Sequence, residues 1–143
     1  YLDELERRYA GGKTVIRRGS AGLVDIAERK ARGQDVDQDQ VAYAVKPLFE
    51  GVQGQLIDIV VLACTHFPLI RDEIQAACPP HVRLIDTGEA VARQAIKVAP
   101  KSGRPMGRAV AAVAYVTGGA ANRAAMAPAL ARFGYVTIEV VDL

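Results

Sequence analysis

The chain has 143 residues, of which 50% are apolar and 24% charged, and its formal net charge is +2. This length and composition fit one ordinary domain or two partial ones and argue against disorder. No apolar run approaches the roughly eighteen residues of a membrane span, two cysteines make no disulfide framework, and the mild charge does not indicate nucleic acid. We therefore expect a protein of the reducing cytoplasm with no membrane or nucleic-acid partner.

The first fifty residues show mainly helical patterns. Leu2, Leu5 and Tyr9 recur at helical spacing before Gly11 and Gly12. Asp37 with Gln40 predicts a capping box at the start of a later helix. In chain order, the predicted elements are a helix over 2–9, a strand over 14–17, a helix over 23–32 and a helix over 37–50.

From residue 57 onward, predicted strands and helices alternate. Strands are expected over 57–62, 82–85, 109–116 and 137–141, and helices over 68–78, 88–98 and 121–133, with a loop over 100–107. Strands that alternate with helices indicate parallel crossover connections. The sequence therefore predicts an α/β fold with parallel strands.

The most informative segment is the strand that ends just before Cys64. Ile59 to Leu62 is apolar on both faces, as a buried parallel strand must be, and Pro68 suits the first turn of a helix. Cys64 is thus predicted at the carboxyl edge of the sheet, where ligands bind in α/β proteins. A helix N-terminus and His66 at this edge would favour the reactive thiolate. The alternative is that Cys64 is a packing residue without chemistry.

The string Asp58 to Leu69, with Cys64-Thr65-His66-Phe67-Pro68 inside it, resembles the second cysteine motif of glutamate racemases, where Gly-Cys-Thr-His-Phe-Pro follows an apolar strand. Segments 15–28 and 84–92 also resemble that family, so the similarity covers almost the whole chain. Ala63 replaces the usual glycine, and Ser20-Ala21 stands where many relatives carry Cys-Pro. The family's first half, with its own Cys-Asn-Thr motif, has no counterpart here.

This resemblance implies a two-lobed racemase-like fold whose parallel-sheet lobes are incomplete in this chain. Residues 1–86 would form most of the second, inserted lobe, and residues 87–143 would return to complete the first lobe. The chain would then need a missing N-terminal half, or a homo-oligomer, as its partner.

The resemblance further implies cofactor-independent interconversion of L- and D-glutamate for peptidoglycan synthesis. Cys64 would be one of two catalytic bases, and Thr65 would bind glutamate. His66 would contribute to both catalysis and binding, and Glu28 would tune His66. With only one of the two bases, the isolated chain is predicted to be inactive. The alternatives are a racemase of the same superfamily acting on aspartate or hydantoins, and a non-catalytic α/β binding fragment.

Three other patterns carry weaker predictions. Cys64, His66, Cys78 and His81 invite a zinc site, but a helix of about ten residues would separate the cysteines by roughly 15 Å, so no metal is expected. Gly118 and Gly119 predict a tight turn with positive φ rather than an anion cradle.

Seven basic residues and no acid lie between Val91 and Ile138. Solvated helix faces are the favoured interpretation, and an anionic ligand or partner is the alternative.

Overall fold

The computed structural model describes residues 2–99 and 112–141, in which helices alternate with parallel strands over the second half. The helices are α1 (Leu2–Tyr9), α2 (Ala21–Ala31), α3 (Gln38–Val45), α4 (Gly51–Gln55), α5 (Arg71–Ala77), α6 (Gly88–Val98) and α7 (Gly119–Arg132). The strands are β1 (Ile59–Leu62), β2 (Arg83–Asp86), β3 (Val113–Val116) and β4 (Thr137–Val140). Short 3-10 turns occupy Lys46–Leu48 and Phe67–Ile70.

The strands form two separate parallel pairs. β1 pairs with β2, with Val61 opposite Ile85, and α5 makes the crossover between them. β3 pairs with β4, with Tyr115 opposite Glu139, and α7 makes that crossover. Parallel strands need such a crossover because a tight hairpin cannot join them. The α/β class with parallel strands is confirmed.

The hydrophobic core lies on one face of the β1–β2 pair. Its buried members come from α2, α3, the strands and the segment that follows β1, namely Leu23, Ile26, Ala27, Val41, Val45, Leu62, Ile70, Ile74 and Leu84. On the opposite face, Val61 is 55% exposed and Ile85 is 45% exposed. Parallel sheets are normally covered on both faces, so this second face is apolar surface without a cover in the described part of the chain.

Local hydrogen bonds explain where α2 and α3 begin. The Ser20 hydroxyl accepts the Leu23 backbone N–H, so α2 starts two residues earlier than predicted. The Asp37 side chain accepts the N–H of Asp39 at the start of α3. The predicted capping box is only half made, because the Gln40 side chain accepts a hydrogen bond from Arg29 instead.

The structure corrects two of the predicted elements. Residues 14–17 do not form a strand, because no strand of the described ranges pairs with them, and Arg17 instead bonds to Asp3 and Glu6 of α1. The helix predicted over 37–50 ends at Val45, because Pro47 has no N–H with which to continue it. The short helix α4, which begins at Gly51 with φ 74°, was not predicted.

The remaining boundaries agree to within a few residues, and α6 has the predicted bounds. The helix expected over 68–78 starts as the turn Phe67–Ile70 and continues as α5. The predicted loop over 100–107 and residues 109–111 of a predicted strand lie outside the described residues. Within the described ranges, no helix has the length and apolar character needed to cross a membrane.

Candidate active site

Backbone hydrogen bonds place Cys64 at the carboxyl edge of the β1–β2 pair. β1 ends at Leu62, and the Phe67 N–H donates to the Cys64 carbonyl at 3.2 Å. The Leu69 N–H then donates to the His66 carbonyl at 3.0 Å, which closes the first turn of the following helix. Strand, turn and helix therefore present residues 64 to 66 together at the edge where ligands bind in parallel sheets.

Three of the predicted site residues lie in a row. The Cys64 Sγ is 3.7 Å from the His66 Nδ1, within hydrogen-bonding reach for sulfur. The other ring nitrogen of His66, Nε2, is 3.6 Å from the Glu28 Oε1. That second distance exceeds a normal hydrogen bond, so the Glu28 carboxylate faces the imidazole without a short hydrogen bond to it. The structure thus brings Glu28 to His66 although 38 positions separate them in sequence.

Core packing of α2 brings Glu28 to this row. Leu23, Ile26 and Ala27 of α2 are buried, and α2 packs against the turn Phe67–Ile70 that follows His66. The second carboxylate oxygen of Glu28 accepts a hydrogen bond from Arg32 at 3.1 Å. One oxygen of Glu28 is therefore held within its own helix while the other faces the imidazole.

Thr65 lies beside Cys64 and is exposed. No side chain caps the following turn Phe67–Ile70, so the Thr65 side chain is not used as a helix cap. Its hydroxyl makes no hydrogen bond within the described residues.

Comparison with known proteins shows which proteins this chain is similar to. A glutamate racemase from Sphingopyxis alaskensis is 53% identical over 94 residues, which are 66% of this chain and 35% of that protein. A glutamate racemase from Salmonella paratyphi A is 33% identical over 139 residues, which are 97% of this chain and 48% of that protein. The chain is a homologue of the glutamate racemases. No protein-family profile matches it.

Two solved structures extend this relationship to the fold. Escherichia coli glutamate racemase, in complex with L-glutamate and the activator UDP-MurNAc-ala, superposes with a TM-score of 0.83 at 31% identity over 99% of this chain and 52% of that one. A glutamate racemase isoform from Bacillus anthracis superposes with a TM-score of 0.69 at 22% identity and supports the fold alone. These two relatives align with nearly all of this chain, and the chain spans about half of their length.

A polar brace beside the candidate site of this racemase homologue was missed by the sequence analysis. Arg71 donates to the Asp86 carboxylate at 3.1 Å and to the Leu84 carbonyl at 3.0 Å. Asp86 also accepts the Gly88 N–H at 3.1 Å. The brace joins the end of β2 to the starts of α5 and α6. Its sequence signal was Asp86-Thr87-Gly88 after an apolar strand, because aspartate accepts from the backbone two residues on.

Cys78 lies at the end of α5 and is also a free cysteine. Burial raises the pKa of the Cys78 thiol above its ordinary value. Across residues 2–99 and 112–141, no group of three His, Cys, Asp or Glu side chains could hold a metal ion.

Proposed function

We propose that this chain is the C-terminal part of a cofactor-independent glutamate racemase that interconverts L- and D-glutamate. The observation that carries the proposal is the row of Cys64, His66 and Glu28 at a strand edge, in a chain homologous to glutamate racemases. The L-glutamate named with the E. coli structure supports glutamate, rather than aspartate or a hydantoin, as the substrate.

The proposed chemistry uses Cys64 as one of two bases. Racemisation removes the α-proton from one face of the substrate and returns a proton to the other face. The Cys64 thiolate takes the proton and becomes a thiol, while an acid outside this chain protonates the carbanion from the opposite side. In the reverse direction, the Cys64 thiol donates. Two bases are needed because a single fixed base would restore the original configuration.

His66 and Glu28 are proposed to favour the thiolate. A free cysteine is only a few per cent ionised at neutral pH. An imidazolium 3.7 Å from the sulfur stabilises the thiolate, and the Glu28 carboxylate at 3.6 Å stabilises the imidazolium in turn. The Thr65 hydroxyl and N–H are proposed to bind a glutamate carboxylate, since the residue is exposed beside the thiol.

In the proposed organisation, residues 1–86 form most of the second lobe. Residues 87–143 then return to complete the first lobe. The two separate strand pairs support this division, because β1 and β2 lie before its boundary and β3 and β4 after it. A complementary N-terminal half would cover the exposed face at Val61 and Ile85 and supply the second base. In the alternative arrangement, a second copy of this chain covers the same face.

The proposed role is to supply D-glutamate for peptidoglycan synthesis in the cytoplasm. Support comes from the activator named with the E. coli structure, UDP-MurNAc-ala, which contains a peptidoglycan sugar.

A chimaera tests the proposal. The chain would replace the matching half of E. coli glutamate racemase, and racemisation would be followed by polarimetry and by α-proton exchange in D₂O. We expect the chimaera to racemise glutamate and the 143-residue chain alone to be inactive, because orientation and the second base are missing from it. Cys64→Ser should reduce the chimaera's kcat by at least about a thousandfold, since a serine hydroxyl is a far weaker acid.

The matched control is Cys78→Ser, which changes the other cysteine and should leave kcat within about twofold. An active Cys64→Ser chimaera would refute the role of Cys64. A chimaera that folds and binds glutamate but never exchanges the α-proton would favour a non-catalytic fragment.

A further inference from the structure

An ion pair links Lys30 of α2 to Glu73 of α5. The Lys30 Nζ lies 2.5 Å from the Glu73 Oε1, and the two side chains are only 25% and 21% exposed. Of the ion pairs between described residues, this one has the least exposed partners. Water therefore screens this ion pair least. Of these ion pairs, it is the one best able to hold two helices in a fixed relative position.

Glu73 depends on Lys30 for its side-chain partner. The Glu73 Oε2 is buried and has no hydrogen-bond partner in the described ranges. Burial of this carboxyl is the largest single effect and opposes ionisation, but the hydrogen bond from Lys30, the backbone of Glu73 and the charge of Lys30 together outweigh it. The pKa of Glu73 therefore lies below its ordinary value. The Gln38 side chain also donates to the Glu73 backbone carbonyl at 2.9 Å, which ties α3 to the same point on α5.

Both helices that this ion pair joins are connected to the candidate site. α2 carries Glu28, and α5 follows directly from the turn after His66. Glu28 and His66 lie 3.6 Å apart and are 43% and 37% exposed. A contact that long and that open to water is too weak to set its own geometry. The spacing between Glu28 and His66 must be fixed by other contacts between the same elements.

We propose that Lys30 and Glu73 are positioning residues that hold α2 at the distance from His66 at which Glu28 acts on the imidazole. The inference rests on the role proposed above for Glu28. The competing account is that apolar packing of Leu23, Ile26 and Ala27 alone holds α2 in place.

A double-mutant cycle on the full 143-residue chain separates these accounts. The rate of Cys64 alkylation by iodoacetamide at pH 7 is measured by mass spectrometry of the Cys64 peptide. In the unaltered chain, Glu28→Gln should slow alkylation by about threefold or more, because the imidazolium beside the thiol loses its carboxylate. In a Lys30→Met background, the same substitution should change the rate by less than about 1.5-fold.

Further variants keep the test decisive. Glu73→Gln is the milder second change for the case in which Lys30→Met does not fold, and it should reduce the Glu28 effect in the same way. The charge-swapped pair Lys30→Glu with Glu73→Lys should retain the effect. Arg29→Met is the matched control, because Arg29 neighbours Lys30 in α2 but bonds to Gln40 of α3 at an exposed position, and it too should retain the effect.

The outcomes separate the positioning role of Lys30 and Glu73 from the role of Glu28 itself. An equal effect of Glu28→Gln in the unaltered, Lys30→Met and Glu73→Gln backgrounds would overturn the positioning role alone and would assign the spacing to apolar packing. Absence of any effect in the unaltered chain would overturn the role of Glu28 and this inference with it.

Discussion

At the scale of single residues, the two cysteines have the same chemistry but different surroundings. Cys64 is half-buried at a strand end, with an imidazole nitrogen 3.7 Å from its sulfur. Cys78 is half-buried at a helix end, and burial raises the pKa of its thiol. Because the thiolate is the reactive form, these surroundings predict different reactivity for the two thiols.

We expect iodoacetamide to label Cys64 severalfold faster than Cys78 at pH 7. A raised pKa means less thiolate at a given pH, so the Cys78 rate should increase only at more alkaline pH than for an ordinary thiol. Peptide mass spectrometry after timed labelling from pH 6 to 10 gives both rates. His66→Gln should slow Cys64 without changing Cys78. Labelling of Cys78 first at pH 7 would contradict this assignment of reactivity.

At the scale of elements, the turn Phe67–Ile70 joins the site to the core. Ile70 is fully buried at 0% exposure and packs in the same cluster as the α2 residues Leu23 and Ile26. Three residues separate His66 from Ile70. The buried Ile70 side chain therefore anchors the turn close to the site residue His66. Stability and site geometry are therefore coupled in this short segment.

Ile70→Ala should lower the free energy of unfolding by about 2–5 kcal/mol, because it removes buried apolar surface and leaves a cavity. The matched control is Ile96→Ala in α6, where Ile96 is 77% exposed, and we expect a change within about 0.5 kcal/mol. Urea titration followed by circular dichroism measures both values for this chain. Equal losses at the two positions would show that Ile70 does not anchor the turn.

At the scale of the whole molecule, a face of the β1–β2 pair is apolar and open. Ile59, Val61 and Ile85 share this face and are all exposed. Contiguous apolar surface of this kind usually marks an interface, and short parallel pairs also leave strand edges unpaired. Relatives that match nearly all of this chain are about twice its length, so the proposed complementary half is the natural cover.

We expect the isolated chain to self-associate at micromolar concentrations, and its average mass by light scattering should rise with concentration. Val61→Glu should reduce that rise, because it places a charge at the centre of the open face. Val52→Glu is the matched control, since Val52 is 79% exposed on α4, outside this face. A stable monomer over the whole concentration range would count against the half-enzyme proposal.

The sequence by itself determined the local features of this protein. The β-branched run ending before Cys64, the proline in the following turn and the crossover pattern predicted β1, the turn and the parallel pairs. Cys64 and His66 meet because only one residue separates them. Two predictions from local sequence were wrong. Residues 14–17 have the composition of a strand but pair with no strand of the described ranges. The predicted helix over 37–50 ends at Val45, because Pro47 lacks the N–H needed to continue it.

Only the tertiary structure decided which distant residues meet. The approach of Glu28 to His66 was expected from family resemblance alone, and the pairing of Lys30 with Glu73 was not expected at all. Such contacts depend on how α2 packs against the segment after β1, and that packing is set by buried side chains from several elements at once. Local periodicity reports which face of a helix is apolar, but it does not report which partner that face will contact.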